Sequence, residues 1–353
     1  MKTRDMWERL NDVTRKNYLD GYIHKLNSVF LEITYKCNLN CRMCFLHGDN
    51  GIGKDKSDDH DRTLTLEEYK LLFDQIEKFH TNVSVVITGG ESFARKDCIE
   101  ICKAAVEHGF PISVLTNGTL ISHEDILSLK ALNANVILSL DGTKIVNDKV
   151  RGKGTFEKVI FVAKQLKSLD VRFHFNFTIS SLNYVNIYDF ANYCSDNNFN
   201  VSFEHLWFTD ELENSKNRQI VNELFGGIED GNLEGFINNF NLLDTVELKK
   251  QIKKVLLDNR LKNVYFYPAV KMSELDSYYN DLHGYIHCGK CYYHFSNIRI
   301  DPFGNIIPCT GPSVGNIKDL SINEIINGEK YTYFRNVIKE IGVFPNCRRC
   351  CKL

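Results

Sequence analysis

Residues 29–45 read VFLEITYKCNLNCRMCF, and the order of parts in that stretch decides what must surround it. Val29–Tyr35 is a short, mostly apolar run of strand length. It leads at once into Cys37, Cys41 and Cys44, spaced C-x3-C-x2-C. Working outward, similar runs recur at Val83–Thr88, Pro111–Leu115, Asn135–Leu140, Val171–Ile179 and Val201–Phe208. Helical stretches such as Leu66–Phe79, Lys96–His108 and Phe156–Leu169 lie between them. Strands separated by helices imply right-handed crossovers and a parallel sheet. The class expected is α/β, a partial (β/α)6 TIM-like barrel over residues 29–208.

The fifth run adds a detail. Arg172, His174, Asn176 and Thr178 share one face, and Phe173, Phe175, Phe177 and Ile179 the other. The phenylalanines suit packing against outer helices, so the polar face should line the lumen. Ser139 and Asp141 alternate with Leu138 and Leu140 in the same way. A polar lumen departs from the apolar interior of a full barrel and points to a cavity that holds something.

Residues 1–28 read as an N-terminal helical extension and 209–287 as a charged helical connector or cap. Residues 288–353 read as a cysteine-rich C-terminal domain. The loop Gly48–Arg62 is polar and reads as mobile. With 353 residues and 43% hydrophobic content there is ample material for a large core. A formal charge of −2 argues against nucleic acid as a partner, because such proteins carry a basic excess. The charged start MKTRDMWERLNDV is no signal peptide, and no run approaches a membrane span, so a cytoplasmic protein is expected. Twelve cysteines without an export signal then read as metal ligands rather than disulfides. Nine of the twelve fall into two groups, one near each end.

Three close thiolates with no fourth nearby do not match a structural zinc site, which supplies four ligands. They suit a [4Fe–4S] cluster with one iron left open. Three unrelated buried cysteines, or zinc, are the alternatives. The context resembles the radical SAM superfamily: Thr34 precedes the motif and Asn38 follows its first cysteine. Met43 stands where that family often has an aromatic residue. The likeness continues through Thr88–Gly89–Gly90–Glu91, Thr116–Asn117–Gly118, Ser139–Leu140–Asp141–Gly142 and Arg151–Gly152–Lys153–Gly154–Thr155–Phe156. The resemblance implies that S-adenosylmethionine chelates the open iron. By the same resemblance Gly89, Gly90, Glu91, Asn117, Ser139, Arg151 and Asn176 form its pocket. Glu91 would accept from the ammonium, Ser139 and Arg151 would hold the carboxylate, and Asn176 would meet the ribose.

Cys291, Cys309, Cys347 and Cys350 supply four ligands for a second [4Fe–4S] cluster; zinc is the alternative. Cys288 rivals Cys291, and Cys351 could replace Cys350. A strand, Gly304, a second strand and Gly315–Asn316–Ile317 lie among them, which resembles the SPASM/twitch extension of the same family. Cys98 and Cys102 read as core residues, and His174, His205 and Asp141 as structural ones.

The resemblance implies reductive cleavage of S-adenosylmethionine to a 5′-deoxyadenosyl radical. That radical would abstract hydrogen from a substrate C–H bond, with the second cluster as electron acceptor and a flavodoxin or ferredoxin as reductant. The 28 residues before the first strand are short for a leader-binding domain, so a small molecule of sugar, aminocyclitol or nucleoside type is expected. The alternative is a maturase for a ribosomally made peptide. A non-catalytic iron–sulfur or zinc protein is the remote one.

Overall fold

The computed structural model describes residues 10–53, 62–79, 82–226, 234–309 and 311–350. Most of loop 48–62, and Cys351, lie outside them. Ten strands form one sheet: β1 (Ser28–Glu32), β2 (Ser84–Thr88), β3 (Ile112–Thr116), β4 (Asn135–Ser139), β5 (Phe173–Ile179), β6 (Val201–His205), β7 (Val264–Tyr267), β8 (Asn297–Ile300), β9 (Asn305–Ile306) and β10 (Gly315–Asn316). The spatial order is β10-β9-β8-β1-β2-β3-β4-β5-β6-β7. Strands β1 to β7 run parallel in sequence order, β8 joins β1 in parallel, and β9 and β10 turn back antiparallel.

The helices are α1 (Asp12–Asp20), α2 (Leu66–Phe79), α3 (Cys98–Glu107), α4 (His123–Ala131), α5 (Lys144–Arg151), α6 (Thr155–Ser168), α7 (Ile187–Asp196), α8 (Glu211–Phe225), α9 (Thr245–Leu257), α10 (Leu275–Asn280), α11 (Ile322–Ile326) and α12 (Glu329–Ile341). Local sequence explains several ends. Ser122 with Asp125, and Ser321 with Glu324, close capping boxes at α4 and α11. Asp148 accepts from the Gly154 and Phe156 amides, which shapes the turn between α5 and α6.

The alternation in β5 sets its two faces. Phe175 and Phe177 are fully buried and pack on Phe190 of α7, while His174, Asn176 and Thr178 face inward and are less buried. Two strands beyond the expected six join the parallel series. One is β7, inside the segment read as a helical connector. It has four residues, is aromatic rather than aliphatic, and pairs on one side only. The other, β8, comes from the C-terminal segment, so the sheet continues across residue 288. No helix among the described residues is long and apolar enough to cross a membrane.

Candidate functional site

β1 pairs with β2 as far as Glu32, and the chain then crosses the end of β2. The Gly90 and Glu91 amides donate to the Thr34 and Lys36 carbonyls. A Cβ at Gly89 would stand 2.2 Å from the Thr34 oxygen, and one at Gly90 2.3 Å from the Lys36 oxygen. The glycines therefore make room for the backbone that leads into Cys37. Their first role is to seat the cysteine loop.

That loop folds back on itself. The Cys44 amide donates to the Cys41 carbonyl at 2.9 Å, and the His47 ring nitrogen Nε2 lies 2.6 Å from the Tyr35 oxygen. N–H donors converge on sulfur: Leu39 on Cys37 and His47 on Cys44, both at 3.4 Å. The Asn117 amide lies 3.8 Å from Cys37, and Arg151 Nη1 lies 3.9 Å from Cys41. Burial pushes the Cys37 thiol up, and it pushes Cys41 up to about 11 against the opposing charge of Arg151. Bare thiols here would hold their protons at neutral pH. Donors and a guanidinium aimed at sulfur fit thiolates kept ionised by iron. Cys37 also feels the charge of Cys44, and Cys41 that of both Cys44 and Cys37. Among the described residues no three His, Cys, Asp or Glu side chains converge as a single metal ion requires.

The residues expected around S-adenosylmethionine divide into two sets. Ser139 and Asn176 are register partners on β4 and β5, side by side on the lumen face. Asn176 Oδ1 is buried and has no hydrogen-bond partner, as a residue awaiting a ligand donor would be. Arg151, at the end of α5, lies beside Cys41. Of these three, Asn176 keeps a buried acceptor without a partner, and Arg151 is already paired with Asp141. Glu91 and Asn117 are already occupied. Glu91 is fully buried and accepts from Thr116 Oγ1 (2.6 Å), the Asn117 amide (2.6 Å) and the Phe93 amide (3.1 Å). Asn117 donates to Asn38 Oδ1 at 2.9 Å and accepts from Thr119. Both knot the end of β3 to the cysteine loop.

The sequence reading missed how Arg151 is held. Its Nε lies 2.7 Å from Oδ2 of the fully buried Asp141, an ion pair without hydrogen-bond alignment. The other Asp141 oxygen accepts from the Thr178 amide at 2.7 Å. Burial raises the Asp141 carboxyl, and Arg151 pulls it back down.

A cavity of about 570 Å³ opens beside Arg42, Met43 and Cys44. Its far wall comes from the connector: Glu211, Gly235 and Ile237–Phe240. Phe236 stacks on Phe45 at 4.8 Å and on Trp207 at 4.2 Å, and a Cβ at Gly235 would meet the Phe45 oxygen at 2.0 Å. No motif marks these residues, because Phe236 and its partner Phe45 stand far apart in the chain.

At the other end, Cys291, Cys347 and Cys350 are buried and Cys309 is partly so. Burial raises Cys291, and the charges of Cys347 and Cys309 raise it further, so those three lie together. The Cys350 amide donates to the Cys347 carbonyl at 3.1 Å, which places it on the same turn. Cys288 is partly exposed, and its thiol donates to the Lys290 carbonyl at 3.2 Å. The connector grips this turn. Asn346 takes hydrogen bonds from Trp207 and Thr209 and gives one to Asn214, and Arg349 donates to the carbonyls of Tyr278 and Asp281. Cys98 and Cys102 are buried in the core. His205 is buried against Tyr279, and His174 is half-buried in the lumen.

Residues 31–194 match the model of the radical SAM superfamily, and residues 291–351 match that of an iron–sulfur cluster-binding domain, SPASM. An Fe-coproporphyrin III synthase of Methanosarcina barkeri is 32% identical over 157 residues, 44% of this chain and 37% of that protein. A PqqA peptide cyclase of Bradyrhizobium diazoefficiens is 30% identical over 147 residues, 41% of this chain and 37% of that protein. The match thus spans little more than a third of each relative's length. The crystal structure of Streptococcus suis SuiB bound to precursor peptide SuiA shares the fold. Its TM-score is 0.65 at 15% identity, covering 99% of this chain and 77% of that one.

Proposed function

From a chain that belongs to the radical SAM superfamily and carries a C-terminal iron–sulfur cluster-binding domain, we propose an enzyme that modifies a peptide at an unactivated C–H bond. Cys37, Cys41 and Cys44 would hold the cluster that binds S-adenosylmethionine, and Cys291, Cys309, Cys347 and Cys350 the auxiliary one. When bound, these groups supply an electron to the sulfonium, a 5′-deoxyadenosyl radical that takes a hydrogen atom from the substrate, and a one-electron sink for the substrate radical. Arg151 would bind the carboxylate of S-adenosylmethionine, and Ser139 with Asn176 would meet it from the lumen face. Glu91 and Asn117 act at one remove, by holding the cysteine loop. A flavodoxin or ferredoxin, in a reducing cytoplasm, would deliver the electron.

The cavity beside Cys44 carries the peptide reading. Asn239 and Ser181 supply amide and hydroxyl groups of the kind that pair with peptide main chain, while Asn50 and Asn238 already donate to the Ile237 and Phe236 carbonyls and stiffen the wall. The relative named as a peptide cyclase agrees with it. The relative named as a coproporphyrin synthase favours a small molecule instead. Against that, the cavity wall carries two carboxylates, Asp49 and Glu211, and one guanidinium, Arg42, which lies over Phe240. A ligand rich in carboxylates would meet repulsion there.

The test is anaerobic reconstitution followed by reduction with dithionite in the presence of S-adenosylmethionine. About eight irons per chain and release of 5′-deoxyadenosine are expected. Peptides encoded by short reading frames beside the gene are then added and followed by mass. A chain that holds no iron, or never cleaves S-adenosylmethionine, sinks the enzyme reading. Cleavage with every such peptide unchanged, while a small metabolite is consumed, sinks the peptide reading alone.

A further inference from the structure

Glu32 ends β1, and Arg299 lies in β8, the strand that joins the C-terminal cysteine segment to the barrel sheet. The guanidinium grips the carboxylate as a fork, Nε to Oε1 and Nη2 to Oε2, both at 2.9 Å. The side chains are only 21% and 7% exposed. Desolvating such a pair offsets much of what its attraction returns, so stability alone is a poor account of it.

The surroundings give it a direction. The Ile307 amide donates to the Arg299 carbonyl at 3.1 Å, extending the β8–β9 hairpin. Cys309 follows two residues later, in the turn just beyond the end of β9, which keeps it close to Arg299 along the hairpin. Arg299 and Cys309 also act electrostatically on each other, and Tyr293 feels both. Glu32 lies on the opposite side, on the barrel's own strand, next to Tyr35. The remaining carboxylate nearby, Asp301, is tied into its own turn by the Phe303 and Asn305 amides. The pair therefore presents its cationic end toward Cys309 and its anionic end to the barrel strand.

We propose that the Glu32–Arg299 pair sets the reduction potential of the auxiliary cluster. Reduction adds negative charge, and a fixed guanidinium in a poorly solvated site favours it. Glu32 limits that effect. Arg299 is thus a positioning residue for charge and Glu32 its counterweight. The inference rests on the cluster assignment and is independent of which substrate the enzyme takes.

The test uses full-length protein carrying Cys37→Ala, Cys41→Ala and Cys44→Ala, so that only the auxiliary cluster, about four irons, is titrated. Its potential is read by redox titration followed by electron paramagnetic resonance. Arg299→Met should shift the potential down, Glu32→Gln should shift it up, and Arg299→Lys should stay close to the parent. Opposite signs from the two partners are what a purely structural pair would not give. Should Arg299→Met fail to fold, Glu32→Gln and Arg299→Lys still decide the matter. Shifts of the same sign, no shift in Glu32→Gln, or a parent that binds no iron would each overturn the proposal.

Discussion

Arg151 carries two jobs that the sequence motif merges into one. It lies beside Cys41, where a ligand carboxylate would sit, and it neutralises the buried Asp141. Removing it should therefore cost both binding and stability. Arg151→Met leaves a buried carboxylate unpaired, which typically costs about 3–5 kcal/mol. Adding Asp141→Asn removes that charge while the Thr178 amide keeps its acceptor. The double variant should recover most of the urea midpoint but none of the binding. Loss of a charge-assisted hydrogen bond, about 1.5–3 kcal/mol, would weaken S-adenosylmethionine roughly ten- to hundredfold, as read by calorimetry. Restored binding in the double variant would mean that Arg151 serves Asp141 alone. The spacing of the cysteines is readable at this scale, because spacing along one loop is a local property. The roles of Gly89, Gly90 and Glu91 are not. A motif marks where glycine and glutamate are needed but not whether a ligand or the chain's own backbone fills the space they leave.

Among the elements, β6 ends in His205, whose Nδ1 lies 2.7 Å from the Tyr279 hydroxyl at the inner end of α10. Burial pushes His205 from 6.5 down to about 3. The unfolded chain thus binds a proton near pH 6.5 that the folded chain refuses. The stability this histidine contributes is complete above pH 6.5 and is lost as the pH falls toward 3. At pH 5 the loss is about 2 kcal/mol. His294, also buried and lowered to about 3, adds to it. His205→Gln should lower stability at pH 7.5 yet flatten its decline between pH 7.5 and 5 by roughly 2 kcal/mol, measured by urea unfolding. An undiminished slope would place the acid sensitivity elsewhere. The main elements were readable because their periodicity is strong: α2 spans the residues expected, and β2 to β6 differ only at their ends. β7 was unreadable for a physical reason. A four-residue edge strand, with Val264 and Phe266 inward and Tyr265 and Tyr267 exposed, alternates cleanly but is too short to stand out from the charged residues around it.

For the whole molecule, the division into barrel, connector and C-terminal domain describes the sequence better than the fold. β8 covers the edge of β1, and the ion pair of Glu32 with Arg299 crosses that seam. The N-terminal helix is held from the same side. Asn17 donates to the Phe295 carbonyl at 2.6 Å, Thr14 bonds Ser296 at 2.7 Å, and the Ile23 amide donates to Asn327 at 2.8 Å. The connector in turn clasps Asn346 and Arg349. A chain cut after residue 287 would lose all of these at once. It would bare the β1 edge, strand the Glu32 carboxylate, and leave α1 and α10 without their partners. An open, apolar edge of this kind templates aggregation. The truncated chain should therefore be recovered as aggregate, or as a species without cooperative unfolding. Losing the cluster is a separate matter. The full-length variant with Cys291, Cys309, Cys347 and Cys350 all changed to alanine keeps the strands, the ion pair and the clasp. It should stay soluble with native far-ultraviolet circular dichroism while its auxiliary iron disappears. A soluble, cooperatively unfolding chain of 287 residues would show that the barrel stands alone and that β8 is an attachment to it.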